Sequence, residues 1–179
     1  MSSRPTINSS SSGSSSGQSG GGKQLVKLTV NNQQTEVAIE PRRVLLDVLR
    51  HNVGLTGAKK VCEMGDCGAC TVHLNGEPVY SCLILGVECA GQRVDTVEGL
   101  ATGNQLDALQ QAFIDADAFQ CGFCTSGQLM ALKALFNDSP SPDDEQIVTA
   151  VSGNLCRCGA YQNIVKAAQL VRDGANHDA

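Results

Sequence analysis

The stretch CEMGDCGAC, residues 62–70, carries three cysteines with four and then two residues between them. After eleven further residues comes a fourth cysteine, Cys82. The segment between Cys70 and Cys82 favours a β-hairpin, because Asn75-Gly76 suits a two-residue type I′ turn. Counting back from that turn brings Cys82 next to Cys70 across the hairpin, so all four thiols are expected in one place.

Four cysteines at this spacing match the plant-type [2Fe-2S] ferredoxins, in which C-x4-C-x2-C is followed by a distant fourth ligand. Gly65 and Gly68 would let the loop fold tightly and point backbone N–H groups at the sulfurs of an anionic cluster. Zinc fits less well, because structural zinc sites usually take two C-x2-C knuckles. Disulfides are rare in a reducing compartment. We therefore expect a [2Fe-2S] cluster at this first cysteine set, which is Cys62, Cys67, Cys70 and Cys82.

More cysteines lie further along the chain, in QCGFC at residues 120–124 and in LCRCG at residues 155–159. Both pairs precede apolar helical stripes, so both are expected at helix N-termini, where unpaired N–H groups and helix dipoles favour an anionic cluster. A C-x-C pair is unusual for structural zinc, and a disulfide within it would be strained. Spacing alone favours an iron–sulfur cluster and leaves zinc and buried free thiols open. This second cysteine set is Cys121, Cys124, Cys156 and Cys158.

The composition limits the classes of partner. The 179 residues carry a formal net charge of -5 and a sequence pI near 5.1, which argues against nucleic acid or anionic lipid as a partner. The apolar runs are too short to span a bilayer, so no membrane insertion is expected. Nine cysteines, an odd number, and the lack of an N-terminal apolar segment favour reduced, metal-binding thiols and a cytoplasmic location. A processed or engineered N-terminus would leave a periplasmic location open.

Composition and periodicity divide the chain into three parts. Residues 1–22 contain 15 Ser or Gly residues and are expected to form a disordered tail. Residues 23–98 alternate apolar and polar side chains in short strands, with one helix that begins near Val44 and stops at Gly54. Residues 99–175 have helical periodicity. The expected fold class is α+β, with a strand-rich domain followed by a helical domain.

Four apolar stripes predict four short helices in the second domain, packed as a small bundle. The stripes are Leu106, Leu109 and Phe113; Leu129, Leu132 and Phe136; Ile147, Val148 and Val151; and Ile164, Ala168 and Val171. The third helix is expected to start at Ser141, a capping hydroxyl, with Pro142 in the first helical position.

From about residue 24 to residue 173, the chain resembles a known family. CEMGDCGAC with Cys82, then QCGFCTSGQLM, then SGNLCRCGAYQNIVKA are similar to the small iron–sulfur subunit of the xanthine oxidase family of molybdenum hydroxylases. That family's own cluster spacing is C-x2-C, 31 intervening residues and C-x-C, and the second cysteine set meets it residue for residue.

The resemblance implies two [2Fe-2S] clusters in one chain. A β-grasp ferredoxin-like domain would hold the cluster distal to molybdenum on the first cysteine set, and a four-helix domain would hold the proximal cluster on the second. By motif position, Gln120 would hydrogen-bond the molybdopterin, and Cys158 would both ligate iron and approach the pterin amino group. The resemblance implies no substrate-binding catalytic site on this chain.

Partner subunits are implied as well. A large subunit would hold molybdopterin, in its cytosine dinucleotide form, and would hydroxylate the substrate; electrons would then pass through both clusters to FAD on a medium subunit. A dimer of the assembled complex is a further expectation. RCGAY, residues 157–161, resembles bacterial aldehyde-oxidising members, so an aldehyde substrate is expected. A carbon monoxide- or N-heterocycle-oxidising relative and a free-standing double-cluster ferredoxin are the alternatives.

Few other residues carry a predicted role. Cys89 lies outside both cysteine sets and is interpreted as a small buried hydrophobe. Met64 is interpreted as a packing residue in the first cysteine loop, with shielding of the first cluster from water as the alternative. His51, His73 and His177 show no pairing as ligands, so Rieske-type ligation, which needs two histidines at one cluster, is not expected.

Overall fold

A computed structural model of the chain describes residues 22–177, with side chains as far as Gly174. The predicted Ser/Gly-rich tail, residues 1–22, lies outside the described residues except for Gly22. The predicted α+β class is confirmed, because a five-stranded mixed sheet comes first and a helical domain follows it. Among the described residues, no helix is both long enough and apolar enough to cross a membrane.

The first domain is built on a mixed sheet. Its strands are β1 Gln24–Val30, β2 Gln33–Ile39, β3 Thr71–Leu74, β4 Glu77–Tyr80 and β5 Arg93–Asp95. Their order across the sheet is β2-β1-β5-β3-β4, with β1 and β5 parallel and the other neighbours antiparallel. This sheet forms the predicted β-grasp domain.

The hairpin of β3 and β4 has the predicted register. Asn75-Gly76 forms the turn, with φ angles of 54° and 96°, and Leu74 pairs with Glu77. Beyond the strands, the backbone N–H of Ser81 donates to the carbonyl oxygen of Cys70 at 3.3 Å. The pairing therefore continues as far as the cysteines at both ends of the hairpin.

A short helix covers one face of the sheet. It begins as α1, Leu45–Asp47, and continues as a π-helix, Val48–Val53. Gly54 ends it with a φ of 87°, as predicted, because glycine adopts this left-handed conformation without steric cost. Leu45 and Leu49 are fully buried, so the helix closes the core of this domain.

Four helices form the second domain in the described part of the chain: α2 Ala108–Asp115, α3 Thr125–Asp138, α4 Asp144–Ser152 and α5 Tyr161–His177. Phe113, Leu132, Ile147 and Ile164 are fully buried in a shared core. The predicted division between residues 98 and 99 lies between β5 and α2 and stays a prediction.

Three details of the helical prediction are wrong. Val148, assigned to the third apolar stripe, is 52% exposed. Leu106 precedes α2 and is 41% exposed, because Asp107 is the residue that caps this helix. The third helix does not start at Ser141. Asp143 caps α4, since its side chain accepts from the backbone N–H of Gln146 at 2.8 Å while the Gln146 side chain accepts from the N–H of Asp143. This reciprocal pair satisfies two free N–H groups.

Helix α3 is buried on two sides. Leu129 and Leu132 contribute to the helical core. On another side α3 packs against β3 and the first cysteine loop: a Cβ on Gly127 would lie 2.3 Å from the carbonyl oxygen of Gly68. The Nε2 atom of His73, on β3, lies 2.8 Å from the carbonyl oxygen of Met130. The two domains therefore meet in close backbone contact.

Candidate metal centres

All nine cysteines lie within the described residues, and no disulfide joins them. Eight of the nine thiols interact with a second thiol through their side chains. The interacting pairs are Cys62 with Cys67, Cys70 with Cys82, Cys121 with Cys158, and Cys124 with Cys156. These eight are the two predicted cysteine sets, and each set contains two close pairs.

The first cysteine set gathers beside Tyr80. All four thiols of the set raise the pKa of its phenol electrostatically, after the larger effect of burial. The Tyr80 hydroxyl itself donates to the carbonyl oxygen of Gly153 at 2.7 Å, in the loop that leads into the second set. One aromatic side chain therefore lies against the first set and contacts the segment of the other.

The two pairs of the first set lie in different environments. The pKa of the Cys62 thiol is lowered to about 6, mainly because backbone N–H groups of Met64 and Cys67 donate to its sulfur. Burial raises the pKa of Cys70 to about 11. N–H donors at a sulfur stabilise negative charge there, as an anionic cluster requires. The first pair is therefore in the more polar half of the site.

The second cysteine set lies where two helices begin, as predicted. Cys124 is the N-cap residue of α3, and Cys156 and Cys158 lie just before α5. The Tyr161 hydroxyl, in the first turn of α5, accepts from the backbone N–H of Cys156 at 2.7 Å. The free N–H groups of both helices thus lie close to the thiols.

Backbone donors also act on the second set. The N–H of Phe123 lowers the pKa of Cys121. At Cys156, burial opposes ionisation, but N–H groups led by that of Ala160, which lies 3.4 Å from the sulfur, outweigh it and lower the pKa. Burial raises the pKa of Cys124 to about 12. Each site thus combines N–H donors with a buried thiol.

The arrangement of the thiols in pairs bears on whether each site fits a single zinc ion or a [2Fe-2S] cluster. Within residues 22–177, no three or more His, Cys, Asp or Glu side chains are arranged to hold a single metal ion. A structural zinc needs four ligands around one ion. A [2Fe-2S] cluster instead takes four thiolates, two on each of its two irons. Two pairs of thiols at each site, with N–H donors around them, fit that cluster.

Three backbone contacts join the loops of the two sites. The N–H of Leu155 donates to the carbonyl oxygen of Cys67 at 2.9 Å. Gly68, with a φ of 69°, approaches so closely that a Cβ there would lie 2.4 Å from the carbonyl oxygen of Gly153. Gly127 makes the third contact, also with Gly68. The two thiol sets are therefore held against each other by main chain as well as by side chains.

One edge of the second set is open to solvent. Cys121 and Cys158 are exposed, and Gln120 donates from Nε2 to the carbonyl oxygen of Cys158 at 3.5 Å. The structure thus brings Gln120 and Cys158 together at the surface. Phe123 and Leu155, each 57% exposed, are apolar residues next to cysteines of this set. An outside group could reach the sulfurs here without passing through the protein.

The first set also has exposed apolar neighbours. Met64 is 66% exposed and Leu83 is 59% exposed. The interpretation of Met64 as a packing residue is therefore wrong, because the loop turns its side chain outward. Cys89 is fully buried, as predicted, and burial raises its pKa to about 11. It takes part in neither set.

Sequence reasoning missed the residues that join the sites. Asn154 and Gln128 are buried polar side chains between the two cysteine sets, and His73 is buried beside α3. A signal was present, because Gly127, Ala131 and Ala134 form a stripe of small residues on α3, and such a stripe allows close approach of backbones. The spacing of the large apolar residues in α3 predicted only one buried face for this helix.

Two family profiles match the sequence. One, described as "2Fe-2S iron-sulfur cluster binding domain", matches residues 28–101. The other, described as "[2Fe-2S] binding domain", matches residues 96–169. Each match contains one complete cysteine set.

The chain is also similar to subunits of several enzymes. It is 43% identical over 147 residues to the nicotinate dehydrogenase small FeS subunit of Eubacterium barkeri, covering 82% of this chain and 94% of that one. It is 40% identical over 157 residues to the aldehyde oxidoreductase iron–sulfur-binding subunit of Escherichia coli (strain K12), covering 79% and 69%. Among solved structures, quinoline 2-oxidoreductase from Pseudomonas putida 86 matches with a TM-score of 0.82 at 41% identity, covering 87% of this chain and 97% of that one.

Proposed function

Because the chain belongs to the small iron–sulfur subunits of the xanthine oxidase family of molybdenum hydroxylases, we propose that its task is to conduct electrons between two partner subunits. It has two [2Fe-2S] cluster-binding domains and is a subunit of a heteromeric molybdenum hydroxylase complex. When bound, the two clusters would supply one-electron transfer between the molybdenum centre and FAD. The protein would hold them close together and keep their surroundings fixed.

The single observation that carries this proposal is the backbone contact between the loops that carry the two thiol sets. Leu155, which directly precedes Cys156, donates a backbone hydrogen bond to Cys67. No side chains of the described residues lie between the two loops at that point. Two unrelated structural metal sites would need no such contact. A chain that conducts electrons does, because the efficiency of transfer falls with the distance between centres.

We propose the ligands of each cluster from the thiol pairs. In the first domain, residues 23–98, one iron would be held by Cys62 and Cys67 and the other by Cys70 and Cys82. In the second domain, residues 99–175, one iron would be held by Cys121 and Cys158 and the other by Cys124 and Cys156. The N–H groups at Cys62 and Cys156 would then stabilise the negative charge of each cluster.

The exposed edge with Gln120 and Cys158 is proposed to face the molybdopterin on the large subunit. Its accessibility supports this proposal, since an amide and a sulfur lie side by side at the surface. The apolar residue Phe123 next to them would be covered by the partner. The exposed edge of the first set, near Met64, is proposed to face FAD on the medium subunit. The cytosine dinucleotide form of the pterin, dimerisation of the complex and a cytoplasmic location are part of the same proposal.

The relatives divide over the substrate. Their names refer to nicotinate, an aldehyde and quinoline. The aldehyde substrate was expected from residues 157–161, which lie at the second cysteine set. No pocket for an organic substrate is proposed on this chain, so oxidation of an aldehyde stays a prediction. Assay of the purified complex with an aldehyde, nicotinate and quinoline would choose among these classes.

Metal analysis and partner identification test the proposal. The purified chain should contain iron and acid-labile sulfide, and its absorption should bleach on reduction with dithionite. Zinc without iron would overturn the cluster assignment. Isolation of the tagged chain from its source should yield a large molybdopterin-containing chain and a flavoprotein. A stable iron-containing monomer without partners would instead indicate a free-standing ferredoxin.

A further inference from the structure

Asn154 lies where the two cluster-binding domains meet. It belongs to the short loop between α4 and Cys156, and only 2% of its surface is exposed. Its side-chain amide donates from Nδ2 to the carbonyl oxygen of Gly68 at 2.8 Å and to Oγ1 of Thr71 at 3.2 Å. Gly68 lies between two cysteines of the first set, and Thr71 directly follows the third. The Asn154 side chain therefore holds the first cysteine loop.

The backbone of Asn154 is held from the other side. Its carbonyl oxygen accepts from Nε2 of Gln128 at 2.7 Å, and Gln128 is fully buried. Gln128 lies on α3, four residues after Cys124, and Asn154 itself lies two residues before Cys156. The Asn154 side chain thus contacts the first cysteine loop. Its main chain is bonded to the segment of Cys124 through Gln128 and is part of the segment that leads to Cys156.

Packing leaves the amide of Asn154 no alternative position. A Cβ on Gly68 would lie 2.6 Å from Nδ2, and a Cβ on Gly127 would lie 2.7 Å from the same atom. Both N–H groups of the amide have acceptors, because Thr71 accepts one of them while its own hydroxyl donates to Gly68 at 2.6 Å. Gly68 and Gly127 leave space for the –NH2 group of Asn154, and the Gly68 carbonyl oxygen and the Thr71 hydroxyl accept its two N–H groups.

We propose that Asn154 is the positioning residue that sets the separation and orientation of the two clusters. Without its donor groups, the carbonyl oxygen of Gly68 and the hydroxyl of Thr71 lose a buried partner, and only the backbone contacts, led by the bond from Leu155 to Cys67, still hold the first cysteine loop to the loop of Cys156. This inference rests on the proposed cluster ligands. It goes further in assigning the geometry between the clusters to a residue that ligates neither.

The substitution Asn154→Asp tests the inference at nearly constant shape. A carboxyl group has no –NH2 and, even when burial keeps it protonated, at most one donor, so it cannot donate to both Gly68 and Thr71 and the loops should move apart. Asn163→Asp is the matched control: Asn163 is exposed and donates from Nδ2 to the carbonyl oxygen of Asp117 at 3.0 Å, within the helical domain. Both variants replace one amide by a carboxyl group of nearly the same shape.

The measurement is the magnetic dipolar interaction between the two reduced clusters, recorded by pulsed EPR on the iron-loaded full chain. We expect Asn154→Asp to keep both cluster signals and to shift the dipolar frequencies lower with a broader distribution. Asn163→Asp should match the parent protein. An unchanged dipolar interaction in Asn154→Asp, or an equal change in Asn163→Asp, overturns the inference.

If Asn154→Asp fails to retain both clusters, a second variant tests whether the Asn154 amide sets the distance between them. Thr71→Val removes one acceptor of the Asn154 amide, together with the bond from the Thr71 hydroxyl to Gly68, without adding charge or bulk. A smaller shift in the same direction supports the inference, and an unchanged interaction overturns it. Failure of the cluster assignment on which the inference rests is distinguishable from these results, because the parent protein would then contain no iron, and failure of the subunit role alone would appear as an iron-containing chain without partners.

Discussion

The backbone N–H of Leu155 donates to the carbonyl oxygen of Cys67 over 2.9 Å. Cys67 belongs to the first cysteine set, and Leu155 directly precedes Cys156 of the second. Both partners in this bond are main-chain groups, so the bond does not depend on the identity of either side chain. Loss of a cysteine side chain at one site is therefore not expected to release the loop of the other.

The substitution Cys67→Ser should remove one cluster and leave the other. It removes a proposed ligand of the first set but keeps the carbonyl oxygen to which Leu155 donates. EPR of the reduced protein should lose one of its two signals. Cys89→Ser is the control, because it makes the same chemical change at a buried thiol outside both sets, and both signals should persist. Loss of both signals in Cys67→Ser, at equal protein concentration, would contradict the two-domain assignment.

The close approach of the domains should make Gly127→Ala destabilising. In an isolated helix this change is favourable by about 1 kcal/mol. Here the new Cβ would lie 2.3 Å from the carbonyl oxygen of Gly68, so we expect a net loss of about 1–3 kcal/mol in the free energy of unfolding. Gly174→Ala is the matched control, since Gly174 lies in α5 with nothing within 4 Å of its added Cβ.

Denaturant unfolding of the two variants measures this difference. Gly174→Ala should be as stable as the parent chain or more stable. If Gly127→Ala were equally stable, the contact between α3 and the first cysteine loop would be looser than 2.3 Å implies.

Local sequence signals predicted much of this structure. Asn75-Gly76 is enough to set the register of its hairpin, because few residues adopt positive φ at both positions of a type I′ turn. The thiol spacing likewise limits what each loop can bind. The turn depends on neighbouring residues alone, so a local pattern is sufficient for it, whereas the second cysteine set is recognised only by a spacing of 31 residues between its two pairs.

The contact between the domains could not be predicted in this way. Asn154 donates to Gly68 across 86 residues of sequence, and no local pattern relates the two positions. The cap of α4 shows a milder form of the same limit. Ser141 and Asp143 are both good capping residues, and only Asp143 has Gln146 placed to return its hydrogen bond. The choice between them depends on the geometry of the finished helix.

Thiol reactivity in iron-depleted protein should distinguish Cys62 from Cys70. The pKa of Cys62 is lowered to about 6, so its sulfur is largely thiolate at pH 7, and its reactivity should fall only as the pH drops below about 6. Burial raises the pKa of Cys70 to about 11, which keeps it a thiol. Iodoacetamide at pH 7 followed by mass spectrometry should find Cys62 labelled well before Cys70.

Two controls accompany the labelling. Cys89, which is fully buried, should be as slow as Cys70, and all cysteines should react at similar rates after denaturation. Equal labelling of Cys62 and Cys70 in the folded protein would contradict the assignment of N–H donors to the Cys62 sulfur.

The exposed ring of Phe123 should contribute to binding the large subunit. It is 57% exposed and lies between Cys121 and Cys124, at the edge proposed to face molybdopterin. An aromatic residue that is a hot spot of an interface contributes about 2 kcal/mol or more, so if Phe123 has this role, Phe123→Ser should weaken binding by about 30-fold or more. Leu25→Ser is the control, because Leu25 is 63% exposed on β1, outside the segments that carry either cysteine set. Titration calorimetry of each iron-loaded variant against the isolated large subunit measures the affinity. Undiminished binding by Phe123→Ser would place the large subunit on another face of this chain, whereas loss of its iron would show that Phe123 protects the cluster rather than the interface.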